Sequence, residues 1–175
     1  INSSTVRYGR PTNSGGCIEA ENGASLTLNN SEVMGCSYGD TGYGIGIRAN
    51  GDLTITNSAI YDNSDSYATN GLGGGVYFSS STGNLVITNS SIYDNEIGGS
   101  NTKGAGLYIG SGTAIITNST FTNNTSYYTS GIYLNNTDSA VLHMSNNIVA
   151  GNVSTYSSED DYDFYKGSSA TLNNN

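Results

Sequence analysis

The chain has few residues of several types, and their scarcity argues against some classes of protein. It has no Trp, one Pro, two Cys and five Lys plus Arg among 175 residues. With so few cations and a net charge of −9, we expect no nucleic-acid partner, because binding a phosphate backbone needs a basic surface. It also lacks any apolar run of the roughly 18 residues that a membrane-spanning helix needs, so we expect no membrane insertion.

The polar composition does not by itself indicate disorder, because disordered chains are usually highly charged and lack periodic apolar residues. Only 11% of the residues here are charged. Gly, Ser, Thr and Asn dominate the composition, together with 14 Tyr. The chain begins at Ile1 rather than Met, which suggests a processed, exported chain or a fragment of a longer one. The polar, Tyr-rich and Lys-poor composition favours an extracellular or cell-surface location.

One sequence motif, apolar-x-apolar-x-Asn-x-x-apolar-x-x-Asn, recurs along the chain. It is clearest at Leu85–Asn95 and returns at Leu53–Asn63, Ala114–Asn124, Leu26–Cys36 and Leu142–Asn152. The last position of the motif advances by 27, 32, 29 and 28 residues. A period near 28 with drifting length is typical of a solenoid, in which each repeat forms one coil.

Each repeat also has a Gly-rich opening whose apolar residues alternate with period two, the pattern of a strand with one buried face. In the second coil this alternation predicts Ile45 and Ile47 inside. We find no helical period and no hairpin dipeptide, so we predict an all-β parallel β-helix with three short strands per coil and about six coils. The predicted organisation is a single domain at 1–175, with a partial coil at 1–9, coils from about 15, 42, 73, 104 and 130, and a partial coil at 162–175.

Asparagine recurs at two corners of the predicted coil. Stacked amides can donate and accept along the axis, forming a ladder that satisfies buried turn backbone. The alternative is that Asn simply favours turns. The predicted ladder positions are Asn57, Asn89, Asn118 and Asn146 at one corner, headed by Asn30, and Asn63, Asn95, Asn124 and Asn152 at the other. Sequons at Asn89, Asn118 and Asn152 would then be buried.

The motif GG-x-I followed by T-I-T-N-S-x-F-x-x-N resembles the right-handed parallel β-helix repeat of polymorphic outer-membrane proteins and adhesin-like surface proteins of bacteria and archaea. Phe121–Asn124 matches its last element as it stands, whereas Ile60–Asn63 and Ile92–Asn95 replace Phe with Ile. The resemblance implies a right-handed coil. It also implies a function in adhesion, in surface layers or in sugar-active enzymes, without deciding among them.

Two cysteines occur in the same coil. Cys17 opens its first strand and Cys36 takes the place of a ladder Asn at its end, and these points meet when the coil closes. We predict a disulfide, which would contribute roughly 3 kcal/mol, over two free thiols in an exported protein. A zinc site would need more ligands.

We find no catalytic constellation, and therefore predict a protein that is not an enzyme and that holds no cofactor or metal. Asp62 and Asp94 occupy equal positions in adjacent coils, but the column continues with Asn123 and Gly151. The repeat register does not place the cationic residues Lys103, Lys166 and Arg48 beside this column. The single histidine, His143, is predicted to face outward without a nucleophile or carboxylate nearby.

Two outward-facing columns are candidate surfaces. Tyr77, Tyr108 and Tyr133 form an aromatic stripe, with Gly46 and Glu19 predicted above them. Stacked tyrosines could simply stabilise the sheet, or they could offer ring faces to sugars or to a protein. A second column of Thr56, Thr88 and Thr117 weakly resembles the arrays of ice-binding solenoids, but the neighbouring Thr column is interrupted.

Insertions between coils are predicted to emerge along one edge, which solenoids often use for binding. The alternative is a solvated rim that is acidic for solubility. We refer to this edge as the loop edge. Its acidic and aromatic residues are Asp65, Tyr67, Tyr127, Tyr128, Tyr156, Glu159, Asp160 and Asp161.

The two ends are predicted to be complementary, because each aligns with a different part of one coil. Ile1–Gly9 aligns with Ile55–Asn63, and Ala170–Asn175 aligns with Leu53–Ser58. Either the chain is a fragment, or copies join head to tail into a filament. Our first hypothesis is a non-catalytic extracellular structural protein that self-assembles in this way. The alternatives are an adhesin or carbohydrate-binding module with glycans as partners and, less favoured, a polysaccharide-active enzyme or an ice-binding protein.

Overall fold

The chain forms a parallel β-helix of about five turns with about 29 residues in each. The computed structural model describes residues 1–10, 16–38, 42–136, 139–156, 163–167 and 169–173. The elements within these ranges are all strands, so the predicted fold class is confirmed. Among the described residues, no helix is present that could span a bilayer.

The strands stack into parallel sheets. The first strands of the coils are β2 (Ile18–Ala20), β5 (Ile47–Ala49), β9 (Val76–Thr88), β12 (Leu107–Thr117), β15 (Ile132–Leu134) and β19 (Phe164–Lys166). The second strands are the later parts of β9 and β12 together with β3 (Ser25–Asn29), β6 (Asp52–Thr56), β16 (Ala140–Ser145) and β20 (Ser169–Asn173). The third strands are β1 (Thr5–Arg7), β4 (Glu32–Met34), β7 (Ala59–Tyr61), β10 (Ser91–Tyr93), β13 (Thr120–Thr122) and β17 (Ile148–Ala150).

The loop edge contains a fourth set of strands in addition to the three that the sequence predicts. They are β8 (Ser64–Asp65), β11 (Glu96–Ile97), β14 (Thr125–Ser126) and β18 (Val153–Ser154). Each spans two residues and pairs in parallel with its neighbours. The insertions therefore leave the coil only after a further short segment has joined the stack.

Residues one coil apart superpose, so like side chains stack in the interior. Along the third strands, Val33 pairs with Ile60, Ile60 with Ile92, and Ile92 with Phe121. These four side chains are completely buried. Columns of this kind fill the space enclosed by the coils and supply the apolar burial that stabilises the fold.

A ladder of buried amides runs down one corner of the coil. The inner ladder consists of Asn63, Asn95, Asn124 and Asn152, which are at most 7% exposed. Each Nδ2 donates to the Oδ1 of the next member at 2.8 to 2.9 Å. Each backbone N–H donates to that same oxygen at 3.0 to 3.3 Å. The amides also donate to main-chain carbonyls of the preceding coil, so polar backbone buried at this corner is satisfied.

Two different groups end the inner ladder. At its first end, the Cys36 N–H donates to Asn63 Oδ1 at 3.1 Å, and the Cys36 side chain forms a disulfide with Cys17, their Cα atoms 5.7 Å apart. At the other end, Asp163 Oδ1 accepts from the N–H and Nδ2 of Asn152 at 2.7 and 2.8 Å. Asp163, which immediately precedes β19 in the next coil, was not predicted to have this role.

Glycines line the other side of the inner ladder, in the register Cys17, Gly46, Gly75, Gly106, Gly131 and Asp163. A Cβ added to Gly46 or Gly75 would lie 3.0 Å from the Nδ2 of Asn63 or Asn95, so a side chain there would press on the ladder. This contact corrects the predicted register of the second coil. Ile45 and Ile47 are both buried, as predicted. It is Ile47 and Ala49, however, that pair with Ile18 and Ala20, so Gly46 rather than Gly44 lies beside Asn63.

The predicted second ladder, at Asn57, Asn89, Asn118 and Asn146, is not buried, and one side-chain bond between its members is present among the described residues. We refer to these residues with Asn30 as the outer column, and their side chains are exposed. Their φ angles of 49° to 57° lie in the left-handed region, which Asn adopts more readily than most residues. Asn89 Nδ2 does donate to Asn57 Oδ1, but at 3.4 Å and in contact with solvent. Of the predicted buried sequons, Asn89 and Asn118 are therefore exposed, whereas Asn152 is buried.

The residue after each outer-column Asn supplies the buried bonding at that corner. The serine ladder consists of Ser31, Ser58, Ser90 and Ser119 and ends in Asn147, all of them buried. Each backbone N–H donates to the side-chain oxygen one coil further on, at 2.9 to 3.2 Å. The recurring Asn-Ser pair in the sequence was the signal for this ladder.

Candidate functional site

The tyrosine stripe forms a continuous stack on the outside of the first strands. Tyr77, Tyr108 and Tyr133 superpose in register, and Tyr165 extends the column by one coil. Successive ring centroids are 5.4, 5.4 and 4.7 Å apart, and the ring planes are parallel within 9°. We refer to these four residues as the tyrosine stack. Tyr43, 5.4 Å from Tyr77 but tilted by 48°, lies at its head.

Because the rings lie parallel and close together, they pack against one another along the column. Binding of sugars or of a protein by this stripe stays a prediction. Tyr108 and Tyr133 are only 7% and 8% exposed. Burial, with the neighbouring Tyr77 and Tyr133 phenols, raises the pKa of Tyr108 well above its ordinary value, so its hydroxyl keeps its proton and can donate.

Arg48, rather than Gly46, occupies the position above Tyr77, and Glu19 lies above Arg48. The Arg48 guanidinium forms an ion pair with the Glu19 carboxylate. This difference follows from the corrected register of the second coil. The aromatic part of the column therefore begins at Tyr77 and is bordered by a pair of opposite charges.

A second wall faces the stack from the loop edge. Tyr43, Leu72 and Lys103 pair with one another across successive coils, and the Tyr128 N–H donates to the carbonyl of Thr102, beside Lys103. The Lys103 ammonium lies 5.1 Å from the Tyr133 ring centroid and 5.9 Å from that of Tyr128. Both are cation–π distances, so Lys103 bridges the two walls.

Between these walls lies a groove of about 550 Å³. We refer to it as the tyrosine groove. Its lining residues are Tyr43, Asn70, Leu72, Asn101, Lys103, Tyr108, Tyr128, Thr129, Tyr133 and Tyr165. Asn70 and Asn101, on the loop edge, have φ angles of 63° and 61°, in the left-handed region that Asn adopts more readily than most residues. The Tyr128 hydroxyl donates to Asn101 Oδ1 at 3.4 Å. The groove thus combines phenol hydroxyls, amides and one ammonium, the groups that bind a hydroxyl-rich ligand.

Sequence reasoning named residues on both sides of this groove, the tyrosine stripe and Tyr128 of the loop edge, but did not predict that they line one groove. The loop-edge wall comes from insertions of unequal length, and the repeat register does not extend into them. One signal was present: Asn70 and Asn101 each precede the next Gly-rich opening by a similar distance.

The Asp62 and Asp94 column is a turn rather than a carboxylate site. Their φ angles are 53° and 52°, and Asn123 and Gly151 in the same column have 54° and 71°. The common property of these residues is the ability to adopt left-handed backbone. Among the residues that the structure describes, no group of three or more His, Cys, Asp or Glu side chains could hold a metal ion.

The remaining candidates are scattered over other surfaces. His143 is exposed on β16 and pairs with Ile115 and Thr171. Thr88 and Thr117 lie in register, with their hydroxyls 3.2 Å apart. On the loop edge, Tyr127, Tyr128 and Tyr156 pack together with centroids 4.8 to 5.2 Å apart. The acidic members of that edge at Glu159, Asp160 and Asp161 lie outside the described residues.

A family model described as a right-handed β-helix region matches residues 1–175. Neither the curated proteins nor the solved structures include a significant match to the chain. Proteins that this family model describes include enzymes as well as proteins without catalytic activity, so the match does not distinguish these two classes. The narrower resemblance to polymorphic outer-membrane and adhesin-like proteins stays a prediction.

Proposed function

The chain belongs to the right-handed β-helix family, and from this premise we propose that it is a carbohydrate-binding protein whose ligand lies in the tyrosine groove. The observation that supports this most directly is the composition of the groove. Tyrosine side chains, two asparagine amides and an ammonium from several successive coils line one groove.

A sugar presents closely spaced hydroxyls, each able to donate and accept, around a partly apolar ring. The hydroxyls of Tyr108 and Tyr133, two of the lining residues, and the amides of Asn70 and Asn101 offer partners of both kinds. Leu72 supplies apolar contact beside them. A pre-formed wall of packed rings loses little conformational entropy when a ligand binds.

We propose binding without turnover. Glycoside cleavage ordinarily uses a pair of carboxyl groups that flank the scissile bond, whereas the described lining residues carry phenol, amide, hydroxyl, alkyl and ammonium groups. We also propose an extracellular location. The Cys17–Cys36 disulfide supports it, because disulfides persist mainly in oxidising compartments.

A glycan array probed with the purified chain tests the proposal, followed by titration of the glycans that bind. The informative variant is Asn70→Gly combined with Asn101→Gly. Gly tolerates the left-handed backbone of both positions, so the change removes the amides without strain. We expect affinity to fall about tenfold, since each lost hydrogen bond contributes roughly 0.5 to 1.5 kcal/mol.

Asn118→Gly is the matched control. Asn118 has the same backbone conformation, with a φ of 51°, but belongs to the outer column, away from the groove. This variant should bind glycans as the unmodified chain does. If no glycan binds, or if both variants lose affinity equally, the proposal is wrong.

Head-to-tail self-association, and with it the role of a filament subunit, stays a prediction from the sequence. It is independent of the groove. Sedimentation velocity over a range of protein concentrations tests it, and a constant monomeric mass at high concentration would exclude it.

A further inference from the structure

We propose that the ligand of the tyrosine groove is a largely neutral glycan that bears an isolated carboxylate or sulfate, and that this anionic group pairs with Lys103. The inference rests on the proposed function, since it specifies the chemistry of the ligand at the same site. Three observations support this inference: the position of the Lys103 ammonium, the partners of this ammonium, and the net charge of the whole chain.

The Lys103 ammonium is held by aromatic rings rather than by an acid. Its Nζ lies over the Tyr133 and Tyr128 rings, and the residue is half-buried at the centre of the loop-edge wall. Within the described part of the chain, the ion pair that forms is between Arg48 and Glu19, on another part of the column. Lys103 therefore presents a positive charge to the groove. Among the residues that the structure describes, no carboxylate forms an ion pair with it.

Contact with ring faces offsets only part of the free energy that an ammonium loses when it leaves water. A cation–π contact contributes roughly 0.5 to 2 kcal/mol, and the ammonium has three N–H groups to direct. An incoming carboxylate or sulfate oxygen would accept a charge-assisted hydrogen bond from Lys103. Such bonds are about twice as strong as those between neutral groups, so an anionic substituent should be selected over a hydroxyl at this point.

The charge of the chain limits how many such groups the ligand carries. With a net charge of −9, the protein repels a dense polyanion at distances up to about a Debye length, roughly 8 to 10 Å at physiological salt. The tyrosine groove contains a single described cation, Lys103. A ligand with one acidic group among neutral sugars gains the local contact and avoids most of the repulsion.

Lys103 could instead serve only to cover Tyr133 with its alkyl chain. The two possibilities predict different binding, and Lys103→Met separates them because Met keeps the apolar stem and removes the charge. Lys166→Met is the matched control, as Lys166 is exposed on β19, outside the groove lining. Thermal unfolding of both variants verifies that they fold.

The test is calorimetric titration with four probes: a neutral glucose oligomer, the same oligomer with one carboxylated sugar, the same with one sulfated sugar, and a fully carboxylated polymer. We expect one or both singly charged oligomers to bind about ten to a hundred times more tightly than the neutral one, and the polymer to bind no better than the singly charged forms. Lys103→Met should remove the preference and keep neutral binding, while Lys166→Met should change neither.

Equal affinity for the neutral and singly charged oligomers would overturn the inference and leave the proposed function intact. Strongest binding to the fully carboxylated polymer would also overturn it. Persistence of the preference in Lys103→Met would show that another group recognises the anion. Failure of every glycan, charged or neutral, would instead contradict the proposed function itself.

Discussion

The two asparagine columns of this solenoid have the same residue, nearly the same period and opposite environments. The inner ladder is buried and joins one coil to the next through amide–amide bonds of 2.8 to 2.9 Å. The outer column is exposed and keeps its backbone left-handed at each coil. Periodicity therefore shows that a position is constrained, but not by which force.

The neighbouring residues distinguish the two constraints. Glycines stand beside the inner ladder because a side chain there would meet the main-chain carbonyl of the next coil and the ladder amide. A serine follows most of the outer asparagines, and it is the serine that carries the buried hydrogen bonds. A glycine column opposite an asparagine column thus indicates a buried ladder, and a repeated Asn-Ser pair indicates an exposed turn followed by a buried hydroxyl.

The largest effect is expected for Asn95→Ala in the inner ladder. Asn95 accepts two bonds from Asn63 and donates to Asn124 and to the carbonyls of Ile60 and Tyr93. Leaving these buried partners unpaired should lower the free energy of unfolding by roughly 3 to 5 kcal/mol. Urea denaturation followed by circular dichroism measures this. A loss below about 1 kcal/mol would contradict the structural role of the ladder.

The next effect concerns the disulfide at the head of the ladder. The double change Cys17→Ala and Cys36→Ala should cost roughly 3 kcal/mol. Changing Cys17→Gly and Cys36→Asn instead reproduces the pair found in the following coils and should recover about 1 to 2 kcal/mol of that loss by adding a rung above Asn63. Thermal and urea unfolding of the two double variants side by side would reveal whether the rung forms. Equal stability would argue against it.

A smaller effect is expected in the serine ladder. Ser90→Ala removes the acceptor for the Ser58 N–H, 3.2 Å away, and the donor to the Thr88 carbonyl at 2.8 Å. We expect a loss of roughly 1 to 3 kcal/mol from the unpaired buried groups. Ser91→Ala is the control, because Ser91 is partly exposed on the neighbouring strand position. Its unfolding midpoint should change much less.

The smallest effect, and the sharpest contrast with Asn95, is expected for Asn89. Asn89→Gly keeps the left-handed turn and should change the free energy of unfolding by less than about 0.5 kcal/mol. Asn89→Ala should cost roughly 1 to 2 kcal/mol, because Ala adopts this conformation with strain. A large loss in Asn89→Gly would mean that the amide itself is needed and would remove the distinction between the columns.

The sequence was sufficient to predict the fold because stacked coils repeat their interior residues at fixed spacing. The same spacing placed Val33, Ile60 and Ile92 in one column, and the structure superposes them. The error of two residues in the second coil arose because alternating Gly and Ile fits either register. The strand pairing shows that Ile47 and Ala49 are the residues in register with Ile18 and Ala20, and pairing between coils cannot be seen within one repeat.

The candidate site was predictable only in part. Strand register gave the positions of Tyr77, Tyr108 and Tyr133, but not the orientation of the rings, which depends on packing between coils. Lys103 lies in an insertion, where the repeat gives no alignment, so its approach to Tyr133 was not apparent. Asp163 was missed because a carboxylate at the end of an amide ladder breaks the repeat pattern.

The inner ladder has an electrical direction, and the groups at its ends fix it. A main-chain N–H such as that of Cys36 can only donate, and an ionised carboxylate such as that of Asp163 can only accept. Every amide between them must therefore point the same way, Nδ2 toward Asp163, as the bonds show. The aligned amide dipoles add along the axis, and Asp163 places a negative charge at their positive end, much as an acidic side chain does at the start of an α-helix. Reversing a single amide would set oxygen against oxygen, so the column can be expected to hold or fail as one unit.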